Sequence, residues 1–167
     1  MHTPARRLLF AVVVAVVAID QVTKAIAVHL LAGRGVVSIL GGALHVQLYR
    51  NFAGSGNRLT GHPVLVSLLA LLAVAAITAV ATRARTRVAA VAGGLMLGGG
   101  ISNLLDRLLR APGPLRGGVV DWLKPTASGG SMNLADLAIT AGIAVLAVGA
   151  LVAAWRQRAG RPLPGQA

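Results

Sequence analysis

Four long apolar blocks dominate the chain and constrain it more than any other feature. They run from about Leu8 to Leu31, Val64 to Thr82, Val88 to Leu109 and Met132 to Trp155. Each approaches the ~20 residues that an α-helix needs to cross about 30 Å of hydrocarbon. Of the 167 residues, 56% are hydrophobic and only 12% are charged, against about 25% charged in an ordinary soluble domain. A soluble core of this length could not hide so much Leu, Val and Ala. The reading is an all-α integral membrane protein, a single membrane domain over residues 1–167 with spans 8–31, 64–82, 88–109 and 132–155. Arg6 and Arg7 before the first block resemble the start of a secretory signal. No convincing small-x-small cleavage site precedes the polar residues Asp20, Gln21 and Lys24, so the block reads as a retained helix.

Orientation follows from where arginine crowds the span ends. Arg6 and Arg7, then Arg83, Arg85 and Arg87, then Arg156, Arg158 and Arg161 sit in short flanks. Arg34, Arg50 and Arg58, with Arg110, Arg116 and Lys124, are spread through two longer loops, 32–62 and 110–131. The dense set is expected in the cytoplasm, with both termini there and both long loops outside. The net charge of +12 then sets topology at an anionic membrane surface; no nucleic-acid-binding motif accompanies it, and no nucleic-acid partner is expected.

The loop 32–62 contains two strand-like runs, Val36–Leu40 and Leu44–Tyr49, separated by Gly41-Gly42. A small extracytoplasmic β-sheet after the first helix is expected. The loop 110–131 holds Pro112, Gly113, Pro114, Gly117, Gly118, Pro125, Gly129 and Gly130. It cannot be helical throughout, and it reads as a flap or an irregular connection.

The acidic inventory carries the functional signal. The chain has no glutamate and four aspartates, Asp20, Asp106, Asp121 and Asp136, all mapping to external span ends or the adjoining loop. A carboxylate near a helix centre costs roughly 2.5–3.5 kcal/mol on insertion, so such groups face a partner or an aqueous cavity. One polar site near the outer leaflet is expected. Asp20 and Lys24 share a helix face at a spacing of four, and a structural ion pair is their simplest role. Asn103 shares a face with Asp106 or Arg107, and Asn133 with Asp136. Asp106 and Arg107 are adjacent and cannot form a same-face pair, so one should brace a neighbouring element; Arg107 is assigned that role. Asn133 reads as an N-cap or an interhelical hydrogen bond, and His45 as a member of the external strand. The four histidines lack metal-ligand spacing, and no cysteine is present. Gly98-Gly99-Gly100 lacks the Lys-Ser/Thr ending of a phosphate loop and reads as a site of close helix packing.

Three functions remain open on these residues. In an intramembrane aspartyl hydrolase, two carboxylates would flank one water and titrate as a pair. In a proton- or ion-coupled carrier, the same groups would form a relay, but they lie at one end and the chain shows no duplicated halves. A structural or lipid-binding protein is the third.

The ordered motifs resemble those of the lipoprotein signal peptidase (signal peptidase II) family. The family's D-x-x-[S/T]-K matches Asp20-Gln21-Val22-Thr23-Lys24, and its G-x-x-x-N-L-x-D-R matches Gly99 to Arg107 through Asn103-Leu104 and Asp106. Val119-Val120-Asp121-Trp122 and Met132-Asn133-Leu134-Ala135-Asp136-Leu137-Ala138-Ile139 match the remaining two blocks. The resemblance implies an aspartyl endopeptidase of the bacterial cytoplasmic (inner) membrane with Asp121 and Asp136 as its catalytic pair. Asp20, Lys24, Asn51, Asn103, Asp106, Arg107 and Asn133 would bind substrate or support the site. It further implies diacylglyceryl-modified prolipoproteins as substrates, contact with membrane phospholipids, inhibition by globomycin-type cyclic peptides, and no metal or cofactor. A monomer is expected. One segment departs from the family: N-x-G-x-A-F appears as Asn51-Phe52-Ala53-Gly54-Ser55-Gly56. The Asn is kept and the final aromatic is lost, which is expected to change how this edge holds peptide or lipid. A redirected or inactive homologue that binds lipoprotein or lipid is the corresponding alternative.

Overall fold

A computed structural model describes residues 4–54, 59 and 61–159. Helix α1 spans Pro4–Leu31, α2 Pro63–Ala81, α3 Arg87–Leu109 and α4 Leu134–Arg158. All four are long and apolar enough to cross a membrane. Their surfaces invert the pattern of a soluble protein. Phe10, Leu72, Val80 and Leu151 are exposed, whereas Asp20, Lys24, Asp106, Asp121 and Asn133 are buried. Apolar side chains facing outward and polar ones inward define a multi-pass membrane protein.

Helix α3 is the centre of the bundle, packing against α1, α2 and α4. Its glycines explain how. A Cβ at Gly98 would stand 2.8 Å from the Cβ of Val16 on α1, and one at Gly99 would overlap the carbonyl oxygen of Ala135 on α4. Hydrogen in place of a side chain lets both neighbours approach α3 closely, which is the packing role read from the glycine run. Thr86 caps α3, its hydroxyl accepting from the Ala89 N–H, and Pro63 opens α2 at a position where no intrahelical N–H is needed.

Strands β1 (Val37–Ile39) and β2 (Leu44–Asn51) form the hairpin expected between the first two helices, joined through a short 3-10 turn at Leu40–Gly42. The sheet has a third strand that the sequence reading missed. Val119–Lys124 forms β3, antiparallel to β2, with Tyr49 opposite Asp121 and Asn51 opposite Val119. The loop 110–131 is therefore ordered in its middle as a strand. The sheet rests on the end of α1, where Ala27 and Leu31 bury Val46 and pack against Val37, Leu48 and Trp122. Met132 pairs with Leu123 ahead of α4. Met132 and Asn133, read as part of the fourth span, thus precede the helix. Of the positions singled out in the sequence, His2, Ser55, Gly56, Arg58 and Arg161 lie outside the described residues.

Candidate active site

The four aspartates, scattered over 117 positions of sequence, converge where α1, α3, α4 and β3 meet. Lys24 is the hinge of the arrangement. Its ammonium lies 2.7 Å from Asp20 and 3.0 Å from Asp106, and it donates to Asn103 Oδ1 at 2.9 Å. Lys24 and Asp20 are fully buried and Asp106 nearly so. Charges this far from water persist only when paired and hydrogen-bonded. The pairing is complete here. Asp20 also accepts from Ser102 Oγ at 2.6 Å and from the Ala135 N–H at 2.8 Å, tying α1 to α3 and to the first turn of α4. Asp106 accepts from Arg110 Nε at 2.6 Å, from Gln21 Nε2 at 3.1 Å and from the Val120 N–H at 3.0 Å. That last bond fixes β3 one residue before Asp121.

This supported platform holds a second pair of acids. Asp121 Oδ1 accepts from Asn133 Nδ2 at 2.7 Å, and its Oδ2 from Asn51 Nδ2 at 3.0 Å. Asp136 Oδ1 accepts from Asn103 Nδ2 at 2.8 Å, and its Oδ2 from the Asn133 N–H at 3.2 Å. Asn133 accepts in return from the Asp136 N–H, which makes a capping box at the start of α4. Both readings of Asn133 hold, since its amide also reaches Asn103 on α3 at 3.1 Å. The Asn51 side chain is oriented from behind, its Oδ1 taking the Gly54 N–H at 2.9 Å. The three asparagine amides (Asn51, Asn103 and Asn133) thus turn donors toward the two carboxyl groups.

Asp121 and Asp136 line one cavity of about 420 Å³, together with Asn51, Asn103, Arg107, Met132 and Thr140. Burial pushes the Asp121 carboxyl up to about 6; the nearby Asp136 adds to the rise, while the amides of Asn51 and Asn133 and the Lys24 cation oppose it. The displacement from 3.8 to about 6 corresponds to about 3 kcal/mol between its two protonation states. The folded chain holds this proton more tightly than the unfolded one. The resulting stability is fully present below pH 3.8 and is lost as pH rises through about 6. Melting curves in detergent between pH 4 and 8 are expected to show this decline in wild type and a shallower one in Asp121→Asn. Identical slopes would show that Asp121 is not the group responsible.

Arg107 corrects the sequence reading. Its side chain makes no hydrogen bond or ion pair with a described residue, and its buried Nη1 has no partner. The brace on Asp106 is Arg110, one helical turn further along. Successive helix residues point about 100° apart; Asp106 therefore turns to Lys24 while Arg107 turns into the cavity. Gln21, Ser102 and Arg110 belong to the site and were not singled out. Only the Asp106–Arg110 spacing of four signalled any of them. Phe52 sets its ring against Gly118.

Fold and site together define a polytopic membrane protein with two aspartates lining one polar cavity near one end of the bundle. Residues 12–152 match the family model for signal peptidase (SPase) II. The chain is 38% identical over 146 residues to the lipoprotein signal peptidase of Mycobacterium bovis (strain BCG / Pasteur 1173P2), covering 85% of this chain and 70% of that protein. It is 39% identical over 146 residues to that of Mycobacterium avium (strain 104), covering 85% and 78%. A bacterial membrane enzyme solved by the in meso method at 2.3 Å shares the fold, with a TM-score of 0.73 and 22% identity over 86% of this chain and 87% of that one. The chain belongs to the signal peptidase II family.

Proposed function

We propose that this protein is an aspartyl endopeptidase that removes signal peptides from diacylglyceryl-modified prolipoproteins, with Asp121 and Asp136 as the catalytic pair. The observation that carries the reading is the charge balance around the cavity. Asp20 and Asp106 are answered by Lys24 and Arg110. Among the described residues lining the cavity with Asp121 and Asp136, the one cation is Arg107. Two acids facing one cation are balanced when they share a single proton, the state an aspartyl peptidase uses.

In that state the ionised carboxylate takes a proton from water as the water oxygen attacks the scissile carbonyl carbon. The protonated carboxyl gives its proton to the carbonyl oxygen, and a neutral tetrahedral diol results. As the diol collapses, the protonated carboxyl of the pair gives its proton to the departing nitrogen while its ionised partner takes one from a diol hydroxyl. The C–N bond breaks, leaving a carboxyl and an amine, and the pair again holds one proton. Asn51, Asn103 and Asn133 fix the acids through the donors described above. Lys24, with Asp20 and Asp106, holds α1, α3, α4 and β3 in register beneath them.

The unpartnered Arg107 guanidinium supplies donors for a substrate carbonyl. Arg107→Lys keeps the charge and loses the planar fork. It is expected to lower kcat/KM about 10–100-fold, the scale of one charge-assisted hydrogen bond, with the melting temperature unchanged. A matching fall in stability would instead make Arg107 a structural brace.

The arginine-rich ends, Arg83 to Arg87 and Arg156 to Arg158, are assigned to the cytoplasm and the sheet to the outer face of the bacterial membrane. The acid pair then lies where the lipid-anchored part of a precursor sits. Tags at residues 84 and 113 test this topology, the first being reachable only from inside. External labelling at residue 84 would reverse it. The function is tested by incubating the purified chain in lipid with prolipoprotein, with and without the diacylglyceryl group. Cleavage of the modified form that persists in chelator is expected, and no cleavage of either form would refute the proposal.

A further inference from the structure

At the end of the bundle away from the acid pair, α2 and α4 both lean on α3 but barely touch each other. The space between them is a groove of about 680 Å³. Its floor is Ala89, Gly93 and Met96 of α3, and its walls include Ile77 and Val80 of α2 and Leu146 of α4. Arg83 and Arg85 stand at its mouth. Both are exposed, and neither pairs with an acid among the described residues. All four aspartates belong to the other site.

We infer that this groove is a binding site for an anionic phospholipid, one acyl chain lying along Ala89, Gly93 and Met96 and the phosphate held by Arg83 and Arg85. The floor from Ala89 to Met96 extends about 10 Å along the helix axis, within the ~15 Å hydrocarbon depth of one leaflet. A hydrocarbon trough opening at two unanswered cations is complementary to a molecule with an apolar tail and a net negative head. The other occupants fit less well. A second copy, with its net charge of +12, would bring like charge to the arginines, as would residues 160–167, whose one charged side chain is Arg161. A lipid with a cationic amine beside its phosphate offers no net charge. Such a lipid would fill the space between α2 and α4 on the leaflet opposite the active site; the inference is independent of the peptidase reading.

The test uses the full chain purified in mild detergent, with native mass spectrometry and melting curves against added phosphatidylglycerol or phosphatidylcholine. Phosphatidylglycerol is expected to remain bound and raise the melting temperature, and phosphatidylcholine to do neither. The Arg83→Gln/Arg85→Gln double variant is expected to bind phosphatidylglycerol about 25-fold more weakly, near fivefold for each arginine at a membrane surface. Ala76→Phe projects a ring into the groove from an exposed wall position and is expected to abolish retention without disturbing the fold. Equal retention of the two lipids would overturn the inference. So would wild-type binding by the arginine double variant, or unchanged binding by Ala76→Phe, which would leave only surface charge. Self-association relieved by Ala76→Phe would assign the groove to a second copy.

Discussion

Lys24→Met is expected to leave the protein unable to hold its fold, with a loss of about 3–5 kcal/mol. That is the cost of removing one partner from a buried ion pair and stranding the other. Two carboxylates would be stranded here. Asp20 would retain only Ser102 and the Ala135 N–H, while Asp106 would retain Arg110, Gln21 and the Val120 N–H. Because Lys24 joins α1 to α3, and Asp20 and Asp106 carry the connection to α4 and β3, the loss would propagate to the acid pair. Asp20→Asn added to Lys24→Met removes one stranded charge, and the double variant is expected to regain part of the stability. Melting temperatures and membrane accumulation of wild type, single and double variants decide the matter. A Lys24→Met protein as stable as wild type would mean that the buried network contributes little to the fold.

Much of this architecture is legible in the sequence because a membrane imposes simple rules. Length and apolarity mark the helices, and a chain with only four acids, all mapping to one side, announces a single polar site. Asn133 and Asp136 announce a helix start at their spacing of three. The third strand is not legible in the same way. Val119 to Lys124 lies among prolines and glycines that signal irregular chain, and its partner β2 is some 70 positions away. Nothing local reveals that pairing. Arg107 misled for the opposite reason, since adjacency to Asp106 suggests partnership whereas helix geometry turns the two apart. Gln21 and Ser102 escaped because uncharged polar residues are common at helix–helix contacts. Their place in the network depends on the approach of α1 to α3 that Gly94 and Gly98 permit.

Asp121→Asn and Asp136→Asn are each expected to lower cleavage by roughly 10²–10⁴-fold, the range for removing a general acid or base. Asparagine keeps the shape of the side chain and cannot exchange the proton. Each variant should remain folded, since the platform of Asp20, Lys24, Asp106 and Arg110 is untouched. In the proposed mechanism the acids act as one unit on one water and one proton, so the two losses are not expected to add. If one aspartate only positions the other, its asparagine variant would retain most of the rate. Equal, non-additive losses therefore separate a catalytic pair from a catalytic residue with a neighbour.

The most direct measurement follows cleavage of a diacylglyceryl-modified prolipoprotein by mass spectrometry, using wild type, Asp121→Asn, Asp136→Asn and the double variant in the same lipid. Paired-acid catalysis predicts a wild-type product that begins at the lipid-bearing cysteine, with no comparable product from any variant whose melting curve shows it folded. A folded single variant cleaving at the wild-type rate would contradict it.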